Sequence, residues 1–429
     1  MKKILIITYY WPPSGGGGVM RWLKMSKFLP EFGWQPIIYT PENPDSSVAD
    51  ESLVKEIHPD VVELKTPIWE PYDFYRKLTG KKSGTKFKAG YISEASSADW
   101  KSKLSVFIRG NFMIPDPRKF WIKPSIKYLS QFLQDNPIDA MVSTGPPHSM
   151  HLIALGLKKK FDIPWIADFR DPWTQIDFYH KLRLTQWADR KHHKLEKKVL
   201  QKADHVVTVS PSWLKDFEIL GKRKIELITN GFDPDDFKEF WPSQNELFII
   251  SHFGAFNQDR NPHSLWKALR EIAIDNDEFK EKLRIQLIGQ TDESVLNSIE
   301  KNSLSENLIL QPFLPHLEGL KLLAESSLLL LPINDAPNVA GILPGKMFEY
   351  IALRKPIIAV GPIKADFAKI INETGTGNSF NFEDVEGIKN SVANYFDLFQ
   401  KNKLQVEAAA TEQFSRKNLA KKYIELLNQ

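Results

Sequence analysis

The chain contains no cysteine. This absence excludes disulfides, a thiolate nucleophile and cysteine-based zinc sites, and it fits a reducing compartment. No apolar run reaches the roughly 18 residues needed to span a bilayer, so we expect a cytoplasmic protein, or one bound peripherally to a membrane. The first residues, Met1-Lys2-Lys3 followed by an apolar run, resemble a signal peptide faintly. Because that run is short and ends at Trp11-Pro12-Pro13, we interpret it as the first strand.

Two ligand-binding motifs are also missing. The glycine run Gly15–Gly18 does not match the strict dinucleotide fingerprint, because Trp11-Pro12-Pro13-Ser14 precedes it and no acidic residue ends a clear second strand about 20 positions later. An NAD-dependent enzyme is therefore disfavoured. No Asp-x-Asp motif follows a predicted strand; Asp233-Pro234-Asp235 has the letters but lies in a turn-rich stretch. We therefore predict no metal site.

The chain has ample material for two cores. It has 429 residues, of which 42% are hydrophobic and 26% are charged, the composition of an ordinary globular protein. Two domains of about 200 residues each are the expected organisation at this length.

Apolar runs rich in Val and Ile alternate with helical patterns, which predicts a doubly wound α/β fold. The predicted strands are Ile4–Thr8, Pro36–Thr40, Ala140–Thr144, Pro164–Ala167, His205–Ser210, Ile225–Ile228, Leu247–Phe253, Arg284–Gly289, Leu308–Gln311, Ser327–Ile333 and Pro356–Val360. The pattern restarts after Asn230-Gly231-Phe232-Asp233-Pro234, so we predict two Rossmann-like domains, 1–235 and 236–410, facing across a cleft. A helix in 411–429 could pack on either domain, and 76–105 reads as a mobile basic insertion.

The glycines Gly15, Gly16, Gly17 and Gly18 lie between the first strand and an amphipathic stretch. Glycine allows close approach of the backbone to a ligand, and the N–H groups of the following helix favour an anion. The run predicts a phosphate cradle, or alternatively a flexible loop of an open sheet.

Basic residues are concentrated in one part of the first domain. Between Arg76 and Lys127 there are 13 Lys or Arg against three acidic residues, with Trp100, Phe107, Phe112, Phe120 and Trp121 among them. Arg190–Lys202 reads as a second basic helix. Basic residues interleaved with aromatics suit an anionic membrane surface. A solvated loop and helix face is the alternative; nucleic acid is disfavoured because no nucleic-acid motif accompanies the charge.

The segment Gly341–Tyr350 lies between two predicted strands. Pro344 suits the first position of a helix, and Lys346 and Glu349 would share one face of that helix. A cation beside helix N–H groups can hold a diphosphate, and a carboxylate one turn later can accept hydrogen bonds from ribose hydroxyls. An exposed ion pair is the alternative.

These motifs together resemble the GT-B glycosyltransferases, in particular the retaining family 4 (group 1) type. The resemblance covers essentially the whole chain. It rests on the glycine run with Arg21-Trp22, Ser143-Thr144-Gly145-Pro146-Pro147-His148-Ser149, Ala167-Asp168-Phe169-Arg170-Asp171-Pro172-Trp173, Asn230-Gly231-Phe232-Asp233 and Pro344–Tyr350.

The resemblance implies that Glu349, with Pro344 and Gly345 before it, binds the nucleotide of a nucleotide-diphosphate sugar. The family pairs this acid with a second glutamate eight positions earlier, where this chain has Gly341. Asn338 or the backbone at Gly341 and Ile342 could substitute for it.

A family position after the first strand of the second domain corresponds to Gly254 and Arg260. Arg260 and Lys346 would then stabilise the leaving diphosphate without a required metal or other cofactor.

In the first domain, the resemblance places a histidine where this chain has Arg170, flanked by Asp168 and Asp171. We expect Asp168 or Asp171 to orient the acceptor and Arg170 to contact sugar or phosphate; an internal salt-bridge network is the alternative. His148 is the candidate cleft histidine, and a structural hydrogen bond or helix cap is its alternative. For His151 we expect a place on the helix surface.

The resemblance implies front-face attack, in which a donor phosphate oxygen takes the proton of the acceptor hydroxyl. The expected partners are a nucleotide-sugar donor and a glycan or lipid-linked acceptor. A nucleotide-sugar 2-epimerase and a non-catalytic nucleotide-sugar-binding protein remain alternatives. The run Gly15–Gly18 would form the wall of the cleft opposite the nucleotide.

Overall fold

The computed structural model describes residues 1–46, 48–71, 100–238 and 245–429. These residues form two compact units. Unit 1 comprises Met1–Thr229 and Leu419–Gln429, and unit 2 comprises Asn230–Asn418. The chain thus passes from unit 1 to unit 2 a few residues before the predicted boundary at 235, and its last helix returns to unit 1.

Unit 1 is built on a parallel sheet of seven strands in the order β3-β2-β1-β4-β5-β6-β7. The strands are β1 Lys2–Ile7, β2 Trp34–Pro41, β3 Val62–Thr66, β4 Ala140–Gly145, β5 Trp165–Phe169, β6 His205–Thr208 and β7 Glu226–Leu227. The strand order reverses between β1 and β4, which is the position where doubly wound sheets leave a crevice at the carboxyl ends of their strands.

Helices cover both faces of this sheet, and their apolar sides complete its core. They are α1 Gly17–Ser26, α2 Trp100–Phe112, α3 Lys119–Asp135, α4 Ser149–Lys158, α5 Gln186–Lys202 and α6 Pro211–Gly221. One core cluster joins α1 to β1 and β4 and includes Leu419, Ala420 and Tyr423 of the C-terminal helix. The C-terminal helix is therefore part of the packing of unit 1.

Unit 2 repeats the design with six parallel strands in the order β10-β9-β8-β11-β12-β13. The strands are β8 Phe248–Phe253, β9 Leu283–Ile288, β10 Leu308–Gln311, β11 Leu328–Pro332, β12 Ile357–Val360 and β13 Gly377–Phe380. The helices are α7 His263–Asp275, α8 Asp277–Lys282, α9 Glu293–Lys301, α10 His316–Ala324, α11 Gly345–Leu353, α12 Asp366–Thr374, α13 Val385–Gln400 and α14 Arg416–Leu427, of which α14 ends in unit 1. Separate apolar clusters fill the two faces of the sheet.

The predicted strands are all present, but the sequence did not reveal β3 and β13. Both lie at a sheet edge and are largely outside the core, so they carry little apolar signal. Of the predicted insertion, residues 76–99 lie outside the described part, and 100–105 begin helix α2. Trp121, expected at a membrane surface, is instead buried and stacks on Tyr39 with ring centroids 4.8 Å apart.

Over the described ranges, no helix combines the length and the apolar character needed to cross a bilayer. The same ranges contain no group of three His, Asp or Glu side chains placed to hold a metal ion.

Candidate active site

The glycine run of unit 1 connects β1 to α1. Gly16 has φ +87° and caps α1 without a side-chain hydrogen bond in the described structure, so the first N–H groups of the helix stay available to an anion. A Cβ at Gly18 would lie 2.9 Å from the ring of Tyr10, which explains glycine there. The loop thus has the geometry expected of an anion-binding turn.

Arg170 follows β5 and ties two loops together. Its Nη1 donates to the carbonyl of Gly18 at 2.8 Å, and its Nη2 donates to the carbonyl of Pro146. Its Nε is buried and has no hydrogen-bond partner among the described residues. Arg170 therefore holds the glycine loop against the β4–α4 loop and retains one donor for a ligand.

Asp171 lies directly after Arg170. Burial raises the pKa of Asp171 to about 7, although the charge of Arg170 opposes the shift. Within the described chain, no hydrogen bond or ion pair is recorded for this carboxylate. A partly buried carboxylate that titrates near neutrality is suited to accept or orient the proton of a hydroxyl group.

Asp168, in contrast, is completely buried and surrounded by donors. It accepts from Arg21 through Nε and Nη2 at 3.1 Å each, from Trp22 Nε1 and the hydroxyls of Thr144 and Tyr423 at 2.8 Å each. Burial alone would raise the pKa of Asp168, but Arg21 and these hydrogen bonds bring it below its usual value. This environment favours the alternative left open by the sequence, an internal salt-bridge network.

Arg21 extends the network to the end of the sheet. It donates to the carbonyls of Ile228 at 2.8 Å and Thr229 at 2.7 Å, and to the hydroxyl of Tyr423 at 2.9 Å. Helix α1, strand β5 and the C-terminal helix are thereby joined around one buried ion pair.

His148 and His151 are both buried beside Gly145. A Cβ at Gly145 would lie 2.6 Å from His151 Nε2 and 3.0 Å from His148 Nδ1, so only glycine fits. His148 stacks on Trp173 at 4.9 Å, and His151 Nδ1 lies 2.8 Å from Ser143 Oγ. Burial lowers the pKa of His148 well below its usual value and that of His151 to about 3, so both rings are neutral. His151 is therefore an internal residue and does not lie on the helix surface as expected.

Helix α5 holds the loop that carries Arg170 and Asp171. The buried Glu196 accepts from the backbone N–H of Trp173 at 3.0 Å and from Thr174, and Trp173 Nε1 donates to His192 Nδ1 at 2.9 Å. The sequence marked this helix only as basic. The i, i+4 spacing of His192 and Glu196 was the available signal, because it puts both on one helix face.

In unit 2, Lys346 lies in the first turn of α11 and reaches the end of β8. Its Nζ is 2.9 Å from His252 Nε2 and 3.2 Å from the place where a Cβ on Gly254 would be. Gly254 has φ +105°, a conformation that favours glycine. Pro344 is the N-cap of α11, and Gly345 is its first residue, so the helix begins one residue later than predicted.

Lys346 lies in surroundings that disfavour its positive charge. Burial lowers the pKa of Lys346 well below its usual value, Arg260 lowers it further, and Glu349 opposes the shift. Burial, Lys346 and Arg260 likewise lower the pKa of His252. In the described ranges no ion pair joins Lys346 to a carboxylate. A bound anion would therefore stabilise the charged form of Lys346.

Arg260 ends a short turn after β8. Its Nε donates to Asn334 Oδ1, and its Nη1 lies 3.4 Å from the carbonyl of Ala255. Asn334 follows β11, so the guanidinium is held at the carboxyl ends of two neighbouring strands.

Glu349 contacts a histidine that the sequence analysis did not select. His316 Nε2 lies 2.9 Å from Glu349 Oε1, and both side chains are largely buried. Tyr350, also buried, accepts the backbone N–H of Phe253 at 3.1 Å and ties α11 to the end of β8. His316 stands 33 residues before Glu349, so no local pattern indicated the pair.

Gly341, where the family has an acid, is the buried last residue of a short turn, Val339–Gly341. Asn338 caps this turn, and its Oδ1 is buried without a hydrogen-bond partner in the described part of the chain. This oxygen is an acceptor available to a ligand hydroxyl.

The predicted residues therefore fall into two groups of neighbours. In unit 1 the glycine run, His148, Asp168, Arg170 and Asp171 lie at the carboxyl ends of β1, β4 and β5. In unit 2 Gly254, Arg260, Pro344, Gly345, Lys346 and Glu349 lie around the end of β8 and the start of α11.

Comparisons with known proteins agree with this architecture. The family model described as Glycosyltransferase Family 4 matches residues 93–236. No curated protein matches the sequence.

Similar solved structures extend over the whole chain. Sucrose-phosphate synthase from Thermosynechococcus elongatus has a TM-score of 0.66 at 13% identity, covering 100% of this chain and 99% of the other. Trehalose-6-phosphate synthase OtsA has a TM-score of 0.64 at 10% identity, covering 100% and 99%. A UDP-N-acetylglucosamine 2-epimerase from Listeria monocytogenes, described as putative, has a TM-score of 0.57 at 10% identity, covering 99% and 95%.

At these identities the structural matches establish the fold and nothing further. The family match covers about a third of the chain and includes the Gly145–Ser149 loop and the Arg170–Trp173 loop. The resemblance inferred from the motifs is confirmed: the chain has the GT-B fold, and residues 93–236 match Glycosyltransferase Family 4.

Proposed function

We propose that this protein is a retaining glycosyltransferase that moves a sugar from a nucleoside-diphosphate sugar to a glycan or lipid-linked acceptor. The observation that carries the proposal is the cluster of basic side chains in unit 2. Lys346, Arg260 and His252 meet beside the N-terminus of α11, and no carboxylate among the described residues pairs with Lys346. Such a cluster suits a diphosphate.

The proposed chemistry follows from where negative charge develops. When the bond between the sugar and the diphosphate breaks, Lys346 and Arg260 would stabilise the leaving group. Glu349 lies one helical turn beyond Lys346 and would accept the ribose hydroxyls, with His316 fixing its orientation. This arrangement needs no resident metal or cofactor.

Unit 1 would bind the acceptor. Asp171 would orient the acceptor hydroxyl, and Arg170 would contact sugar or phosphate through its Nε. The hydroxyl would attack the anomeric carbon on the side of the leaving group. Its proton would pass to a phosphate oxygen of the donor, so the configuration is retained.

Asn338 would take over contact with the donor sugar from the missing acid at position 341. Its buried Oδ1 can accept a hydrogen bond from a sugar hydroxyl but carries no charge. We therefore expect the donor sugar to be bound through neutral hydrogen bonds at this position.

An epimerase is the second candidate, because a structure of the same fold is described as a nucleotide-sugar 2-epimerase. An epimerase inverts one carbon of the nucleotide sugar and needs no acceptor. A transferase releases nucleoside diphosphate in proportion to an acceptor. The requirement for an acceptor therefore separates the two candidates.

The test begins with a panel of nucleoside-diphosphate sugars, ranked by how far each raises the unfolding temperature of the protein. The donor that stabilises most is then incubated with and without a lipid extract as acceptor source. We expect nucleoside diphosphate to appear with the extract and a glycosylated product of retained configuration. Epimerised sugar without acceptor, or no stabilising donor, would contradict the proposal.

A further inference from the structure

Unit 1 carries an exposed group of aromatic rings next to lysines. We call it the aromatic–lysine surface, and it consists of Trp69, Phe107, Phe112, Phe120, Trp187, Lys119 and Lys191. Trp69, Phe112 and Trp187 are 62%, 62% and 57% exposed. Large exposed apolar groups are common singly, whereas a contiguous set marks an interaction site.

The rings and the lysines are in contact with one another. The rings of Trp69 and Phe120 meet edge-on at 4.8 Å, and Lys119 lies 4.9 Å from the centre of the Phe120 ring. Lys119 also donates to the carbonyl of Phe112 at the end of α2. Lys119 thus contacts Phe120 and Phe112, and Phe120 in turn contacts Trp69.

Helix α5 adds a second cation to this surface. Lys191 lies 4.6 Å from the centre of the Trp187 ring. Helix α5 lies against α2, since His192 Nε2 is 3.4 Å from the carbonyl of Gly110, and burial together with the charge of Lys191 lowers the pKa of Lys119. Neither lysine forms an ion pair with a carboxylate in the described ranges. Two neighbouring cations without an acidic partner favour an external anion.

Further lysines continue this positive charge along α3. Lys119, Lys123 and Lys127 are four residues apart and share one helix face. Lys123 and Lys127 line an open groove with Lys160, and no acidic side chain is among the described residues of that groove.

From this arrangement we propose that the aromatic–lysine surface docks the protein on a bilayer of anionic phospholipids. Indole and phenyl rings with lysines between them match the interface of such a bilayer, where rings lie at the headgroup level and ammonium groups meet phosphates. The sequence alone indicated a basic aromatic segment. In the structure, Trp69 and Trp187 also belong to this surface, whereas Trp121 is buried and does not.

A single-stranded nucleic acid would need free ring faces for base stacking. Here lysines cover the faces of Phe120 and Trp187, and Phe120 also meets Trp69. The geometry therefore fits a lipid headgroup layer better than a nucleic acid. Docking by this surface does not depend on the proposed catalytic activity.

The test is flotation of the full-length chain with vesicles of equal parts phosphatidylglycerol and phosphatidylcholine, and with vesicles of phosphatidylcholine alone. We expect binding to the anionic vesicles that weakens as salt increases. Lys191→Gln should weaken binding about fivefold, as should Lys119→Gln. Trp187→Ser should weaken it about tenfold or more, because the ring no longer enters the interface.

Lys215→Gln and Ile219→Ser on α6 are the matched controls, since both residues are exposed on another helix of the same unit. They should bind vesicles like the wild type. Lys191→Gln leaves the Lys119 contact at the end of α2 intact, so it separates charge from folding. Thermal stabilisation by the nucleotide-sugar donor, measured on the same samples, should be unchanged in every variant.

Several results would overturn the proposal. The first is that the protein binds vesicles without phosphatidylglycerol as well as vesicles that contain it. The second is that Trp187→Ser and Lys191→Gln bind anionic vesicles like the wild type. The third is that the α6 control variants lose as much binding as these two variants. Binding to a single-stranded oligonucleotide in place of vesicles would also overturn it. If flotation is normal but no donor stabilises the protein, the proposed function is contradicted and the proposed docking surface is not affected.

Discussion

Both units have charged side chains near the carboxyl ends of parallel strands, but the surroundings of these charges differ. In unit 1, Arg21 and Asp168 pair with each other and are enclosed by further donors and acceptors. In unit 2, Lys346 meets His252, and within the described structure no carboxylate pairs with it. Both sites lie at carboxyl ends of parallel strands.

Under the proposed function, this difference separates a structural site from a binding site. A buried ion pair whose hydrogen bonds are all made contributes to the fold, and removing one partner leaves an uncompensated charge. A cation that burial destabilises, and that forms no ion pair with a carboxylate among the described residues, favours a ligand that supplies negative charge. Arg170 and Asp171 are intermediate, because Arg170 is partly bonded and Asp171 has a pKa of about 7.

The largest effect should come from breaking the enclosed pair of unit 1. Asp168→Ala leaves Arg21 buried without its carboxylate, so we expect the free energy of unfolding to fall by about 3–5 kcal/mol. Urea denaturation followed by tryptophan fluorescence measures it. Asp162→Ala removes a fully exposed partner of Lys158 and should cost less than about 1 kcal/mol. Equal effects would contradict the structural role.

The next effect concerns the cation of unit 2. Lys346→Met should weaken binding of the nucleotide-sugar donor roughly 30- to 100-fold, because a charge-assisted contact with the diphosphate is lost. The free energy of unfolding should stay the same or rise, because a buried cation without a carboxylate partner is removed. Titration calorimetry measures the affinity, and Lys321→Met, on the exposed face of α10, is the control.

Calorimetry in two buffers sharpens this test. Since the pKa of Lys346 is lowered in the free protein and the diphosphate would raise it, donor binding should take up a proton at a pH between the lowered and the raised pKa. The uptake should disappear in Lys346→Met. Unchanged affinity in the variant would show that the comparison between the units is wrong.

The smallest effect is a pH dependence in unit 1. The folded pKa of His151 is about 3, below its unfolded value of about 6.5, so the unfolded state binds a proton first as the pH falls. Stability from this residue is therefore complete above pH 6.5 and lost progressively below it. Relative to His151→Gln, the wild type should lose about 2 kcal/mol between pH 7.5 and pH 5. Parallel stability curves for the two proteins would indicate that the pKa of His151 is the same in the folded and unfolded states.

Much of the fold was predictable from local pattern. Buried parallel strands such as β1, β4 and β11 are continuous apolar runs, and glycine and proline mark their ends. The edge strands β3 and β13 were not predictable, because pairing by backbone hydrogen bonds requires no particular side chains.

The sequence predicted which residues lie at the candidate site. It predicted less well what each of these residues does there. Lys346, Glu349 and Arg260 lie where the motifs indicated. Asp168 was selected correctly as a residue at a strand end, but its partners Arg21 and Tyr423 stand 147 and 255 positions away. His316 beside Glu349 and Glu196 beside Trp173 were missed for the same reason.

The local amino-acid sequence thus specifies the strands, the helices and the kind of side chain at each strand end, because these depend on residues that are close along the chain. Whether a charge at a strand end is neutralised depends on residues brought from distant parts of the chain. In the folded chain, Asp168 pairs with the cation of Arg21, whereas Lys346 contacts the neutral imidazole of His252. That difference in electrostatic environment, which no spacing in the sequence encodes, is the basis for our proposal that one site is structural and the other binds a ligand.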